Sequence, residues 1–198
     1  QPDGWRAVRQ RLRGATSKPV PYGLHMCHFF PSRQELLDAL IPYFTAGLDN
    51  NERGIWVAHA PLPAEAIRAE IEQYPRLKQS ESSGQLRIID AEDWYGHAST
   101  FSAESIIQRW LDEEERALAD GYQGLRITGN TSFVPRENWS SLMDYEEKFH
   151  QRIQDRRIVA CCSYSRLECQ PVNVLEVVKL HDAALDRSEK NWQIFLHK

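Results

Sequence analysis

The chain has 198 residues, of which 41% are hydrophobic and 26% charged, an ordinary balance for a globular domain with a substantial core. Its net charge is -4, and its first 20 residues hold five basic side chains against one acidic one, so the remainder is more acidic than the total suggests. These values argue against nucleic-acid binding by the body of the domain, and no apolar run is long enough to span a bilayer.

The N-terminal region differs in composition from the rest of the chain. Residues 5–13 have the pattern of a short basic amphipathic helix, and the proline-containing stretch 16–23 that of a linker. We therefore expect a basic N-terminal helix and linker over residues 1–21 and a single α/β domain over residues 22–198. The start at Gln1, with no signal-peptide pattern, leads us to expect a piece of a longer protein.

Beyond the linker, short apolar runs alternate with amphipathic helical patterns. Continuous apolar runs are typical of strands that are buried on both faces of a parallel sheet. The predicted strands are residues 24–30, 54–59, 85–90, 124–129 and 157–164. Their alternation with helices predicts right-handed crossovers and a doubly wound, mostly parallel α/β sheet flanked by helices.

The helices between the strands are marked by apolar stripes and by end signals. Ser32 and Glu35 form a capping box, Gly47 lies near the end of the stripe that follows, and Pro42 should kink or loosen that helix. The apolar stripes cover residues 36–48, 106–118 and 139–153. A shorter helix is predicted over residues 62–74 and is ended by Pro75. In the C-terminal tail we expect a helix near 172–181 and a strand near 191–196.

The segment from His25 to Ser32 stands where an α/β nucleotide-binding domain carries its phosphate loop. Such a loop needs glycines, so that backbone N–H groups can close around phosphates, together with a lysine and a serine or threonine. This turn instead offers a histidine, two phenylalanines and a proline. Asp90 ends a later strand, but no glycine-rich loop with a lysine accompanies it, so ATP hydrolysis is not expected.

Catalysis of other kinds has no support in the sequence. Cys27 and His28 are neighbours on a strand and point to opposite faces, so they do not form a nucleophile and base pair. No Gly-x-Ser-x-Gly motif is present. We therefore expect a protein that is not an enzyme.

The carboxyl ends of the predicted strands are where an open parallel sheet binds its ligands. Here these ends are rich in aromatic residues: Phe29, Phe30, Trp94, Tyr95, Phe133 and Tyr164. A cleft lined in this way suits a small, largely apolar molecule held by a few polar groups. The alternative is that the aromatic rings only pack the sheet against its helices.

Histidine and cysteine side chains raise the alternative of a metal site. His25 and Cys27 lie two residues apart on one strand and point to the same face, so one distant ligand would complete a zinc or copper site with them. The distant candidates are His59, Cys161, Cys162 and His181. Adjacent Cys161 and Cys162 point to opposite faces and should not serve one metal together. No Cys-x-x-Cys or His-x-x-x-His pair supports the site, and free thiols in a reducing cytoplasm are the simpler expectation.

Arg126 falls within an apolar strand, where a charge must be paired or solvated. Glu146 in the following helix is the expected partner, with Glu113 and Glu114 as further candidates. One interpretation is a structural ion pair between the sheet and a helix. The other is that Arg126 holds a polar or anionic part of a ligand.

Several short motifs, in this order and spacing, resemble one known family. They are Leu24–Phe30, Glu35–Leu37, the helix end at Gly47, Gly121–Gly129, Tyr145–Glu146 and Ala160–Tyr164. Over about residues 22–185 the chain resembles the MEDS domain, a sensory domain of methanogen and methylotroph regulators. The resemblance implies a RecA/KaiC-like core with a degraded nucleotide loop, usually joined to kinase, PAS or DNA-binding output domains, that senses small hydrocarbon-derived molecules.

The resemblance also implies which residues contact the ligand. They are His25, Cys27, His28, Phe29, Phe30, Arg126 and Tyr164. We expect no cofactor and no membrane contact. The expected partners are a small-molecule ligand and an attached or separate output module. A homodimer is an open alternative. The second hypothesis is a metal- or redox-responsive regulator that uses His25 and Cys27 with a distant cysteine or histidine; residual nucleotide binding is a third.

Overall fold

The structure is a computed structural model. It describes residues 10–11, 20–96, 102–131, 134, 138–167, 169–188 and 191–196, with side chains described between residues 20 and 185. Within these residues an eight-stranded sheet has the strand order β1-β8-β7-β2-β6-β5-β3-β4. The strands are β1 Gln10–Arg11, β2 His25–Phe30, β3 Arg53–Ala58, β4 Leu86–Asp90, β5 Leu125–Asn130, β6 Ile158–Ser165, β7 Ala183–Ser188 and β8 Asn191–Leu196.

All neighbouring strands from β7 to β4 are parallel, and β8 runs antiparallel to both β7 and β1. This arrangement confirms the mostly parallel, doubly wound sheet. The helices are α1 Arg33–Asp49, α2 Ala64–Ile71, α3 Pro75–Ser82, α4 Ala91–Tyr95, α5 Ala103–Ala119, α6 Trp139–Ile153 and α7 Pro171–Leu180.

The first crossover begins with the predicted helix signal. Ser32 Oγ accepts a hydrogen bond from the Glu35 backbone N–H at 3.2 Å, and α1 continues through Pro42 to Asp49. Only two residues join β2 to α1. This connection is too short to wrap around a phosphate group, which agrees with the missing phosphate-loop residues.

Alternate residues of each strand enter two separate cores. One core lies under α1, α2 and α3 and includes Met26 and Cys161; we call this side of the sheet the α1 face. The other lies under α4, α5, α6 and α7 and includes Cys27 and Cys162; we call it the α6 face. The prediction that Cys161 and Cys162 point to opposite faces is confirmed.

Three parts of the chain differ from the sequence-based expectation. Residues 10 and 11 form strand β1, so the predicted helix is wrong at these positions; the rest of 5–13 lies outside the described residues. Pro75 does not only follow the predicted helix 62–74 but begins a further helix, α3, that the sequence does not predict. Proline is tolerated there because the first helical position needs no backbone N–H. Strand β7 was not predicted, since Ala183–Ser188 contains three consecutive polar residues and lies beyond the strands that are apolar throughout.

Arg126 pairs with Glu52, so the expected partners Glu146, Glu113 and Glu114 are wrong. The distance from Arg126 Nε to Glu52 Oε2 is 2.6 Å, and both side chains are buried. The physical reason is strand parity: Arg126 alternates with residues that pack under α6 and points to the α1 face, whereas Glu146 belongs to the α6 face. This pairing supports the interpretation of a structural ion pair.

Gly47 of α1 leaves room for the Arg126–Glu52 pair. A Cβ at Gly47 would lie 2.1 Å from Arg126 Nε and 2.7 Å from Glu52 Oε2. Alanine is ordinarily better than glycine in a helix interior by roughly 0.5–1 kcal/mol. Here we expect Gly47→Ala to lower the free energy of unfolding by about 1–3 kcal/mol, because the overlapped atoms are trapped in a buried pair. Urea denaturation measures this change, and a variant as stable as the wild type would contradict it.

Candidate functional site

Four buried polar side chains meet on the α6 face. His25 belongs to β2, Cys162 to β6 and Glu146 to α6, and His181 directly follows α7. His25 Nε2 lies 3.3 Å from Cys162 Sγ and 3.3 Å from Glu146 Oε2. Glu146 Oε2 lies 3.6 Å from Cys162 Sγ and 3.7 Å from His181 Nε2. We call these four residues the buried polar cluster.

Strand register and helix periodicity bring the cluster together. Because β2 and β6 are parallel with His25 opposite Ala160, Cys162 is a diagonal neighbour of His25 on the same face. Glu146 lies in the inward stripe of α6, next to Tyr145 and three residues before Phe149. The chain turns after α7 and places His181 against this stripe.

The tautomer of His181 follows from its hydrogen bond. Its Nδ1 lies 2.7 Å from the Val177 carbonyl oxygen, which can only accept, so Nδ1 carries the proton. The lone pair of the ring is therefore on Nε2, the atom nearest to Glu146. His181 thus presents an acceptor, or a metal ligand, to the cluster.

Burial determines the charges of the cluster. It lowers the pKa values of His25 and His181 to about 3, so both rings are neutral at pH 7. Burial also raises the pKa of the Cys162 thiol and that of the Glu146 carboxyl. The site therefore favours neutral groups unless a cation is present to stabilise the thiolate and the carboxylate.

Some polar atoms of the cluster have no hydrogen-bond partner within the described part of the chain. They are His25 Nδ1 and His181 Nε2, whereas the Glu146 carboxyl interacts with the Tyr164 hydroxyl. A buried polar atom left unpaired costs about 1–3 kcal/mol, and native proteins contain few of them. Of these two atoms, His181 Nε2 faces the other polar groups of the cluster, so a further group bound there would satisfy it.

A crevice on the α6 face extends from the cluster along the carboxyl halves of β5 and β6. Its cavity volume is about 10 Å³, which is room for about one water molecule, so a larger ligand requires α6 or a lining side chain to move outward. Its apolar and aromatic lining is formed by Tyr95, Trp110, Ile127, Leu142, Tyr145, Phe149 and Ala160, and the other lining residues are Gly129, Thr131, Glu146, Cys161 and Cys162. The crevice and the buried polar cluster therefore share two residues, Glu146 and Cys162.

Two tyrosines supply the crevice with further polar groups. Tyr145 accepts a hydrogen bond from Trp110 Nε1 at 3.0 Å. The Tyr95 hydroxyl lies 2.6 Å from where a Cβ of Gly129 would be, so the glycine makes room for this ring. Burial raises the pKa values of Tyr95 and Tyr145, so both remain neutral phenols.

The seven ligand contacts predicted from the family resemblance divide between the two faces. His25, Cys27, Phe29 and Tyr164 belong to the α6 face, and His28, Phe30 and Arg126 belong to the α1 face. The structure therefore does not bring all seven into one pocket. Their role as ligand contacts stays a prediction.

The α6-face residues of this set differ in what they contact. His25 is in the cluster, whereas Cys27 Sγ donates to the Ala183 carbonyl oxygen at 3.6 Å. The rings of Phe29 and Tyr164 lie 5.5 Å apart. The metal hypothesis named His25, Cys27 and a distant cysteine or histidine; the structure groups His25 with Cys162 and His181 and leaves Cys27 outside the group.

Glu146 is the cluster residue that sequence analysis did not assign to a ligand or metal site. The sequence presents Glu146 as a candidate partner for Arg126 and as part of the family motif Tyr145–Glu146. The available signal was its position between Leu142, Tyr145 and Phe149, where helix periodicity places an apolar residue. A carboxylate in such a stripe must be paired, protonated or bound to an ion.

Comparisons with known proteins agree with this fold. The chain is similar to the crystal structure of a KaiC-like protein from the hyperthermophilic archaeon Pyrococcus horikoshii OT3, with a TM-score of 0.61 and 11% sequence identity. The match covers 96% of this chain and 88% of that chain, and at this identity it shows the RecA/KaiC-like fold alone. No protein of curated function matches the sequence.

Two findings complete the comparison. Within the described residues, no helix is both long and apolar enough to cross a membrane. The family model described as "MEDS: MEthanogen/methylotroph, DcmR Sensory domain" matches residues 24–182, a range that contains all four cluster residues. The resemblance seen in the sequence motifs is thereby confirmed, and the chain belongs to the MEDS family of sensory domains.

Proposed function

We propose that this sensory domain is the input module of a signal-transduction or transcription-control protein, and that its stimulus is a small, largely apolar molecule bound in the α6-face crevice. The observation that carries the proposal is the lining of the crevice: mainly aromatic and aliphatic side chains, with the Glu146 carboxyl and the Cys162 thiol at one end. Small-molecule sites commonly combine an apolar wall with a few polar groups that orient the ligand.

Binding would act through the position of α6. This helix lines the crevice with Leu142, Tyr145 and Phe149, and it packs against both α5 and α7. A ligand that prefers one placement of α6 shifts the population of the domain toward that state. The shift would then reach an attached or separate kinase or DNA-binding module, with a second copy of the chain as an alternative partner.

The proposal includes no catalytic step and no nucleic-acid contact by the α/β body. Two residues join β2 to α1, which supports a role without nucleotide hydrolysis. The four cysteines are free thiols, three of them buried, which fits a reducing cytoplasm.

A variant that narrows the crevice tests the proposed site. Gly129→Ala places a methyl group against the Tyr95 hydroxyl, at 2.6 Å before any adjustment. We expect the wild type to bind at least one member of a panel of small apolar probes, from xenon to 1-butanol and toluene. Because a methyl group in a binding pocket is worth about 1–3 kcal/mol, Gly129→Ala should weaken that binding by about tenfold or more. Saturation-transfer proton NMR titrations measure the affinity for the organic probes, and the xenon chemical shift measures it for xenon.

Gly54→Ala is the matched control for this test. Gly54 also lies in a strand, and a Cβ there would meet Leu86 Cδ1 at 2.8 Å, a similar overlap on the α1 face. We expect this control to bind the probes as the wild type does. Equal weakening in both variants, or no saturable binding of any probe to the wild type, would refute the crevice as the ligand site.

A further inference from the structure

We propose that the buried polar cluster is a binding site for one divalent transition-metal ion of the zinc class. The ligands are His25 Nε2, Glu146 Oε2, Cys162 Sγ and His181 Nε2, four atoms that lie within 4.8 Å of one another. This inference goes beyond the proposed sensing of an apolar molecule, because it stands even if nothing binds in the crevice.

Four of the six distances between the ligand atoms match the edges of a tetrahedral coordination shell. Zinc–nitrogen bonds of about 2.0–2.1 Å and zinc–sulfur bonds of about 2.3 Å place the corners of a tetrahedron about 3.3–3.7 Å apart. The distances from His25 to Cys162 and to Glu146 are both 3.3 Å. Those from Glu146 to Cys162 and to His181 are 3.6 and 3.7 Å. The other two distances, from His181 to His25 and to Cys162, are within 4.8 Å, which is close enough for one ion to contact all four residues.

The hydrogen bond of His181 prepares this ring to ligate a metal. A metal-bound histidine commonly donates its second ring N–H to a carbonyl or carboxylate, which fixes the ring and its tautomer. His181 Nδ1 does so to the Val177 carbonyl oxygen at 2.7 Å. Its Nε2 is buried, has no hydrogen-bond partner among the described side and main chains, and faces the cluster. A metal ion gives this atom its missing partner.

Charge balance favours a divalent ion. A thiolate from Cys162 and a carboxylate from Glu146 carry two negative charges, and the two histidines ligate as neutral rings. One divalent cation therefore makes the buried site neutral overall, which removes the cost of isolated buried charges. Imidazole, thiolate and carboxylate are each ligand types that zinc accepts, and cobalt(II) serves as a spectroscopic substitute for zinc.

The proposed metal site adjoins the crevice, because Glu146 and Cys162 line its inner end. Four protein ligands close the tetrahedral shell, so a molecule in the crevice would contact these ligating side chains and not the ion itself. The ion would hold α6, β6 and the end of α7 in one arrangement. The site thereby offers a direct connection between ligand entry and helix position.

Metal titration of the full chain tests the proposal. The purified protein is stripped with a chelator, checked by circular dichroism for retained fold, and titrated with zinc and with cobalt(II). We expect one equivalent to bind, a rise in the melting temperature with zinc, and a tetrahedral cobalt spectrum with a thiolate-to-cobalt charge-transfer band. Absence of stoichiometric uptake by the folded wild type would overturn the proposal.

Adjacent cysteines provide matched variants. Cys162→Ser should abolish the charge-transfer band. Loss of a residue that only hydrogen-bonds a metal ligand weakens metal binding by roughly 10–100-fold, and we expect loss of the ligand Cys162 to weaken zinc binding by more than that. Cys161→Ser changes an equally buried thiol on the opposite face and should bind as the wild type does. If Cys162→Ser fails to fold, the near-isosteric Glu146→Gln takes its place, with His28→Gln as a second control on the α1 face. Equal metal affinity in a ligand variant and its control would refute the site.

Discussion

Glu52→Gln is expected to lower the free energy of unfolding by about 3–5 kcal/mol, the usual cost of removing one partner from a buried ion pair. Arg126 and Glu52 are 4% and 1% exposed, and the Arg126 Nε to Glu52 Oε2 distance is 2.6 Å. A guanidinium does not lose its proton at accessible pH, so the variant leaves a buried charge without its counterion. The stacking of Arg126 over the Tyr43 ring does not replace a carboxylate. Urea denaturation at pH 7 measures the loss.

A double variant separates the unpaired charge from the loss of packing. Glu52→Gln combined with Arg126→Met removes both charges, and we expect it to recover most of the lost stability because no charge is left buried alone. The control is Asp120→Asn, which breaks the Arg53–Asp120 pair at 2.6 Å, where Asp120 is 56% exposed. That pair should contribute less than about 1 kcal/mol. A loss in Glu52→Gln no larger than that of the control would contradict the structural role.

The same double variant separates the two faces of the domain. Arg126 and Glu52 lie on the α1 face, whereas the crevice and the buried polar cluster lie on the α6 face. We therefore expect the folded double variant to bind metal and apolar probes as the wild type does. A loss of probe binding would restore Arg126 as a ligand contact, the interpretation that the sequence alone left open.

The parallel sheet was accessible from the sequence because of how its strands are buried. Strands covered on both faces by helices leave continuous apolar runs, and each of the five predicted strands matches an observed strand to within one residue at either end. Strand β7 lacks such a run, since its second half is Asp186, Arg187 and Ser188. The sequence does not predict α3, because a proline after a helical pattern is expected to end that helix, whereas Pro75 is the first residue of the next one.

The candidate site was predictable in its parts but not in its assembly. Strand parity alone placed His25 and Cys27 on one face and separated Cys161 from Cys162. Which residues of β6, α6 and α7 meet His25 depends on sheet register and helix placement, and a single sequence contains no direct signal for either. For this reason Cys162 and Glu146, not Cys27, complete the buried polar cluster.

Acid should destabilise the domain through His28. Burial lowers the pKa of His28 to about 4, whereas an unfolded histidine titrates near 6.5. The unfolded state therefore binds more protons between these values, so the free energy of unfolding falls as the pH drops from 6.5 to 4 and levels off below. We expect His28 to account for about 2 kcal/mol of the stability lost between pH 7 and pH 4.5.

His28→Gln removes this titration while the rest of the protein still titrates. Because His25 and His181 also have lowered pKa values, the wild type and the variant share their contribution, and the difference between the two pH profiles isolates His28. Urea denaturation of both proteins in chelator-containing buffer, at half-unit steps from pH 7 to pH 4.5, gives the profiles. A buried amide does not take up a proton. We therefore expect the free energy of unfolding of the variant to fall less steeply with decreasing pH than that of the wild type, whatever the stability of the variant at pH 7. If the free energies of unfolding of the two proteins fall in parallel with pH, His28 has the same pKa in the folded and the unfolded state. That result would contradict its placement in the core of the α1 face.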